Sequence, residues 1–116
     1  MFVRVKVSES VAKGNIVTFN STLSKFDLAS TMAKPLGVVI EDPFTSAEGN
    51  LIAAVAFAGE GIAIASRDIP EEGGELNVEN GMVYVDNTAN GEGIVMPLPH
   101  DQAQKVAGDM VMIYIR

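Results

Sequence analysis

Short apolar segments, each bounded by glycine, proline or polar turn residues, are the main feature of this chain. Residues 2–7, FVRVKV, place valines on one side and Phe, Arg and Lys on the other, which predicts an amphipathic strand. Near the centre, residues 54–66, AVAFAGEGIAIAS, contain two apolar runs separated by Ala58-Gly59-Glu60-Gly61. Neither run reaches helical length. The glycines predict either two buried strands joined by a tight or bulged turn, or one bent strand.

Further short apolar or alternating segments predict strands along the rest of the chain. The Asn80-Gly81 pair between two of them is typical of a hairpin turn. Residues 100–107, HDQAQKVA, are the segment with the most helical character, and we predict at most a short helix there. The other predicted strands span residues 16–19, 25–29, 36–40, 75–79, 82–85, 94–96 and 110–115.

The two halves of the chain carry similar segments in the same order, which indicates either an internal duplication or chance similarity among strands. The paired segments are KGNIVTF with EGGELNVE, KFDLAS with NGMVYVD, PLGVVIE with EGIVMPLP, and AFAGEGIAIA with KVAGDMVMIYI. We favour duplication, because the order of the segments is shared. This predicts an all-β, mostly antiparallel fold: a compact barrel or sandwich of bent strands, in a single domain over residues 1–116.

Composition and charge narrow the class of protein. Of the 116 residues, 47% are apolar and 20% are charged, as in a globular domain with its own core. No apolar run reaches the roughly 18 residues that span a bilayer. The net charge of −7 argues against binding to nucleic acid or to an anionic lipid surface. The chain has no cysteine, which excludes disulfides and thiolate metal sites and favours assembly inside a cell.

No arrangement of residues in the sequence predicts a catalytic, cofactor or metal site. His100 is the only histidine, and its neighbour Asp101 does not by itself make a general base with an orienting group. Carboxylates such as Glu41 and Asp42, and those in residues 67–74, lie at glycine- or proline-marked turns, where carboxylates are normally solvated. We therefore predict that the protein is not an enzyme and holds no cofactor or metal.

Two features have both a structural and an interface interpretation. The strand at residues 2–7 either pairs within its own sheet or adds to the sheet edge of another chain. Several methionines in the second half either fill gaps in the core or form a subunit interface. These methionines are Met82, Met96, Met110 and Met112.

Five segments that together cover most of the chain combine glycine turns with strands. They are KGNIV (13–17), PLGVVIED (35–42), AGEGIA (58–63), GGELNVENGMV (73–83) and AGDMVMI (107–113). In this order they resemble the small capsid decoration proteins of tailed bacteriophages, which are also called cement or head-stabilising proteins.

The resemblance implies a β-rich subunit that forms a homotrimer on the outside of an expanded icosahedral shell. Its partner would be the major capsid protein, without direct contact to nucleic acid or membrane. It would be made in the host cytoplasm and carried on the capsid exterior of the virion. Members of this family often reach the shell with an N-terminal arm, which here would be residues 1–7. The candidate capsid-binding residues are therefore Phe2, Val3, Arg4, Val5 and Lys6.

Two other functions stay open at this stage. One is a base or adaptor domain of a phage head fibre or tail spike. The other is a small β-barrel enzyme or ligand-binding domain, which a pocket with perturbed carboxylates in residues 68–75 would favour.

Overall fold

The computed structural model describes residues 2–30, 37–57, 59–70, 76–85 and 104–115, together with the backbone of residues 95–97. These residues form eleven strands and no helix, so the all-β prediction is confirmed. The strands are β1 Val3–Lys6, β2 Ile16–Asn20, β3 Lys25–Leu28, β4 Gly37–Val39, β5 Phe44–Thr45, β6 Leu51–Ala56, β7 Gly59–Ile64, β8 Leu76–Glu79, β9 Met82–Val85, β10 Val95–Pro97 and β11 Met110–Ile115.

The first half of the chain forms one antiparallel sheet with the strand order β1-β6-β4-β2-β3, and β5 pairs with β6 beside this path. The two outermost strands of the order, β1 and β3, meet through a parallel bridge between Val7 and Phe26. The Ser8 N–H donates to the Phe26 carbonyl at 2.9 Å. The sheet is therefore closed on itself, and we call it the first barrel.

The second half forms another antiparallel sheet, with the strand order β7-β11-β10-β8-β9. Its outermost strands, β7 and β9, meet through a parallel bridge between Ala65 and Val83. The Ser66 N–H donates to the Val83 carbonyl at 2.9 Å, in the same way as Ser8 in the first sheet. We call this closed sheet the second barrel.

The two barrels have the same topology when β1, β6, β4, β2 and β3 are matched with β7, β11, β10, β8 and β9. The register agrees as well. Val17 of β2 lies opposite Gly37, the first residue of β4, and Leu76 of the matching strand β8 lies opposite Val95, the first residue of β10. Chance similarity of unrelated strands does not produce equal strand orders with equal registers. The predicted duplication is therefore present in the fold.

One of the four predicted segment correspondences is wrong. The sequence comparison matched the central segment that includes β7 with the segment that includes β11. In the structure these strands are neighbours in one sheet, with Gly59 opposite Ile115 and Ile64 opposite Met110. The true counterpart of β11 is β6. Of the two interpretations of the central segment, the one with two strands is correct, but Gly59, Glu60 and Gly61 belong to β7 and not to a turn. The two strands lie in different sheets, and the chain changes sheet between Ala56 and Gly59.

The short helix predicted near residues 100–107 can be compared only over its second part, because residues 100–103 lie outside the described residues. Lys105 forms an antiparallel bridge with Ile69, with both N–H···O distances at 2.9 Å. The chain then turns, with Gly108 at a φ of 95°. Since glycine reaches this left-handed region without steric cost, the turn brings the chain into β11 instead of extending a helix.

Two clusters of buried side chains fill the molecule, and they explain how the barrels are joined. The smaller cluster lies inside the first barrel and consists of Val7, Val11, Val17, Val39, Ala53 and Val55. The larger cluster combines the interior of the second barrel with side chains from the outer side of the first barrel. Those outer side chains are Ile16, Ala29, Val38 and Ala56. The second barrel is thus packed on one outer face of the first.

The β8–β9 hairpin fixes this junction. Its turn residues Asn80 and Gly81 have φ angles of 47° and 74°, as the predicted hairpin turn requires. The Gly81 N–H donates to the Ala29 carbonyl at 2.9 Å, and the Ile16 N–H donates to the Gly81 carbonyl at 2.7 Å. A side chain at residue 81 would also contact Leu28, so glycine is needed both for its φ angle and for the close approach.

Candidate binding surfaces

The five candidate capsid-binding residues lie in or directly before β1, which pairs with β6 from Val3 opposite Val55 to Lys6 opposite Ile52. This confirms the interpretation in which the N-terminal strand belongs to its own sheet. Val5 is half-buried against the smaller core cluster, and the adjoining Val7 is fully buried. These two valines therefore hold the strand in the barrel, and the exposed contacts have to come from its other side chains.

The outer side of β1 presents Phe2, Arg4 and Lys6 to solvent. The Arg4 Nε lies 3.2 Å from the Glu41 Oε1, and its guanidinium carbon lies 5.5 Å from the centre of the Phe2 ring. Both members of the ion pair are well exposed, so the pair orients Arg4 more than it stabilises the fold. Val3, at the start of the strand, is 52% exposed.

The backbone of β1 also has an edge that faces away from β6. The Val7 N–H donates to the Leu51 carbonyl at 3.0 Å, so Val7 and Leu51 form a hydrogen-bonded pair of the antiparallel ladder. Because such pairs alternate, the N–H and C=O groups of Arg4 point away from β6. This edge faces β3, which it meets at Val7 and Ser8, so strand addition by a partner would use the part of the edge before that bridge, at Arg4.

A second exposed surface lies on the outer side of the second barrel, across β7 and β11. Along β11 the buried Val111, Ile113 and Ile115 alternate with exposed residues. Ile62 of β7 is also exposed and lies directly opposite Met112. We call this surface the β7–β11 face. It consists of Ile62, Met110, Met112 and Tyr114, which are 39–53% exposed.

An open cleft of about 320 Å³ lies where the β7–β11 face meets the first barrel. Gly14 allows the close approach here, because a Cβ at this position would lie 3.0 Å from the Ile64 Cγ1. Lys13 is the one charged residue of the lining, so the cleft is mainly apolar. The lining residues are Lys13, Gly14, Val39, Ile40, Gly61, Ile62 and Met110.

A polar cluster on the second barrel surrounds the carboxylate of Glu79. The Arg67 Nε and Nη2 donate to its two oxygens at 2.8 Å and 2.7 Å, and the Ser66 hydroxyl donates at 2.7 Å. The Arg67 guanidinium lies 4.4 Å from the centre of the Tyr84 ring. The hydrogen bonds from Arg67, followed by the one from Ser66, lower the pKa of Glu79 below its ordinary value of 4.5.

This cluster reinforces barrel closure. Ser66 is the residue whose N–H joins the outermost strands β7 and β9. Its counterpart Ser8 closes the first barrel and likewise donates its hydroxyl to a carboxylate, Asp27, at 2.6 Å. The same device therefore occurs once in each barrel.

We predict that the contribution of Glu79 to stability depends on pH. A carboxyl whose pKa is lowered by folding stabilises the folded state above its ordinary pKa of 4.5, and this stabilisation is lost as the pH falls through the lowered value. Glu79→Gln should therefore lower the free energy of unfolding at neutral pH, and the difference from wild type should shrink on acidification. Urea unfolding from pH 7 to pH 3 measures it, with the exposed Glu48→Gln as the control. A difference that is constant over this range would contradict the prediction.

The structure brings together residues that the sequence analysis did not single out. Ile40 and Ile62 come from different halves and line the same cleft because the second barrel packs on the first. Among the predicted interface residues, Met110 and Met112 are exposed and Met82 is partly buried, whereas the side chain of Met96 lies outside the described residues. The available sequence clue was β11, where every residue is apolar on both sides of the strand.

Within the described residues, no group of three or more His, Asp or Glu side chains is arranged to hold a metal ion. In this part of the chain, no helix is long and apolar enough to cross a membrane. His100 and Asp101, and residues 71–75 of the acidic stretch, lie outside it.

Comparisons of the chain with protein-family models, with curated proteins and with solved structures give no significant match.

Proposed function

We propose that this protein is a structural subunit that attaches to the outer surface of an icosahedral phage capsid and stabilises the expanded shell. In this proposal it acts as a homotrimer, binds the major capsid protein and catalyses no reaction. The sequence motifs that resemble capsid decoration proteins suggest this function, and the surfaces described above are compatible with it.

The observation that carries the proposal is the pair of exposed surfaces on one doubled β scaffold. One is the outer side of β1 with Phe2 and Arg4, and the other is the apolar β7–β11 face. A subunit that joins a shell needs at least two such surfaces, one for the shell and one for its own copies. Because several weak contacts are made together, the trimer gains avidity that no single contact provides.

We assign the shell contact to β1. Phe2 and Arg4 combine an aromatic ring with a guanidinium, two groups that often dominate the energetics of protein interfaces. The outward backbone edge at Arg4 can add hydrogen bonds to a strand of the capsid protein and thereby fix the register of the contact.

The test is co-sedimentation with expanded empty shells of the cognate major capsid protein. Wild-type protein should attach stoichiometrically and raise the temperature at which the shells disassemble. The double variant Phe2→Ala/Arg4→Ala should bind about thirtyfold more weakly, because the loss of two interface anchors at about 1 kcal/mol each totals about 2 kcal/mol. Phe44→Ala, which removes an exposed aromatic ring on another strand, is the control. Failure of the wild-type protein to attach would refute the function, and an unchanged double variant would refute the role of β1.

The apolar cleft favours one alternative, a ligand-binding domain. Its volume of about 320 Å³ lies at the lower end of the range for small-molecule sites. If a small apolar compound raised the unfolding temperature and Gly14→Leu abolished this effect, in a protein that ignores shells, the ligand-binding function would replace the structural one.

A further inference from the structure

We propose that copies of this protein associate head to tail, by repeating between chains the junction that joins the two barrels within one chain. This inference takes one point from the proposed function, namely that copies of the protein associate. The contact itself is derived from the duplication.

Within one chain, the junction has two sides. The first barrel contributes an outer face, on which Val38 and Ala56 lie opposite each other in β4 and β6 and are buried. The second barrel contributes one end, formed by the start of β7 at Gly61 and by the turn at Gly81. These lie side by side because β7 and β9 run parallel where they meet.

The outer face has a counterpart on the second barrel, and the described side chains of this counterpart are exposed. Met96 and Tyr114 lie opposite each other in β10 and β11, as Val38 and Ala56 do in β4 and β6. Ala56 is 9% exposed, whereas its counterpart Tyr114 is 45% exposed. We call this surface the trailing face. Its described side chains are Glu60, Met112 and Tyr114.

The docking end also has a counterpart, at the opposite end of the chain. The equivalent of Gly61 is Val3 in β1, and the equivalent of the Gly81 turn is the turn of residues 21–24 before β3. Val3 is 52% exposed and Leu23 in that turn is 47% exposed. Phe19, the counterpart of the fully buried Val78, is 48% exposed. We call these three residues, Val3, Phe19 and Leu23, the leading end.

Edge-to-face and tilted ring contacts hold Phe19 of the leading end in place. The ring centres of Phe19 and Phe26 lie 5.4 Å apart, and those of Phe26 and Phe57 lie 5.2 Å apart. Rings that are already held in place lose little freedom when a partner covers them. Phe19 and Phe26 are larger than Val78 and Val83 at the matching places of the second barrel. The contact between chains therefore repeats the position of the junction and not its individual side-chain contacts.

Charge complementarity supports the pairing of these two surfaces. Lys6 and Lys25 lie on the strands that form the leading end and are exposed, whereas Arg4 of β1 is paired with Glu41. Glu60 on the trailing face is exposed and lies directly opposite Tyr114. Two leading ends would repel each other, whereas a leading end and a trailing face attract, which favours a head-to-tail contact over a two-fold symmetric one.

A contact between two different surfaces closes into a ring when the rotation between copies allows it, and otherwise grows as a filament. A closed trimer of this kind would alternate first and second barrels around its ring. It would also leave the outer side of β1, at Phe2 and Arg4, available for another partner.

One-sided variants test the inference by sedimentation velocity without any shell. Leu23→Asp blocks the leading end and Tyr114→Lys blocks the trailing face. Each variant alone should associate at least tenfold more weakly than wild type while its circular dichroism spectrum stays unchanged. Their equimolar mixture should form a dimer that does not grow. The intact trailing face of the Leu23→Asp variant binds the intact leading end of the Tyr114→Lys variant, and no further intact surface remains in the pair. Phe44→Asp, an exposed apolar position away from both surfaces, is the matched control.

A wild-type protein that remains monomeric would overturn the inference. So would a mixture that stays monomeric, or a Phe44→Asp variant that dissociates as the other two do. Attachment of a monomeric protein to shells would leave the proposed role on the shell standing and refute only the head-to-tail contact. Association of the copies without attachment to shells would support the head-to-tail contact and refute the proposed role on the shell.

Discussion

A chain that lacks residues 2–7 is expected to lose the cooperative unfolding transition of the intact protein. The truncation removes β1, an outermost strand of the first barrel, and with it the bridge between Val7 and Phe26 that closes the sheet. Burial of the Val7 side chain alone contributes about 1.5–3 kcal/mol. The ladder to β6 and the packing of Val5 add to this. The sum is a large share of the roughly 5–15 kcal/mol that stabilises a typical domain.

Thermal unfolding followed by circular dichroism measures the effect of this truncation. Val3→Thr is the matched control, because it changes an exposed side chain of the same strand and should shift the free energy of unfolding by about 0.5 kcal/mol or less. A truncated protein that unfolds at the same temperature as wild type would show that β1 is an appended arm and not a strand of the barrel.

The role of β1 in the barrel also determines how the shell contact has to be tested. If removal of β1 unfolds the first barrel, loss of shell binding in the truncated protein says nothing about the contact surface. The exposed Phe2 and Arg4 can be changed without removing the buried valines. Only point variants of this kind separate attachment from folding.

The positions of many strands could be predicted from sequence, because local pattern determines them. The strands predicted at residues 82–85 and 110–115 coincide with β9 and β11. Alternation and the Asn80-Gly81 turn fix these segments locally. The two-residue strand β5 was missed, because Phe44 and Thr45 pair with β6 through contacts that no local pattern records.

Neighbour relations between strands were harder to predict. The segments around β7 and β11 have similar apolar patterns, which suggested that they were counterparts in the two halves. Similar patterns also suit two strands that pair side by side in one sheet, which is what β7 and β11 do. Sequence similarity between short strands does not distinguish these two relations, whereas the bridges at Val7 and Ala65 do.

The sequence alone also could not predict that the β7–β11 face is exposed. In β11, Met112 and Ile113 are both apolar, yet Ile113 is fully buried and Met112 is exposed. A strand that is apolar on both sides indicates that both sides are covered in the working protein. What covers the outer side depends on elements far along the chain or on another molecule, so the alternation by itself leaves this undetermined.

We expect Gly61→Ala to destabilise the protein by about 1–2 kcal/mol, because the first and second barrels are in direct contact at this point. A Cβ on Gly61 would overlap the Val38 Cγ1. Val38 is fully buried and β-branched, so its side chain has little freedom to move away. Overpacking of this kind costs about 1–3 kcal/mol, which exceeds the roughly 0.5–1 kcal/mol that alanine gains over glycine in a strand.

A double-mutant cycle with Val38→Ala tests the cause of this effect. Val38→Ala removes the Cγ1 that a Cβ at residue 61 would overlap. In that background, Gly61→Ala should therefore be neutral or stabilising in urea unfolding. The coupling free energy should be at least about 0.5 kcal/mol, which is typical of residues in direct contact. Additive effects of the two substitutions would show that the barrels are not in contact at these residues, and they would remove the structural template for the head-to-tail junction between chains.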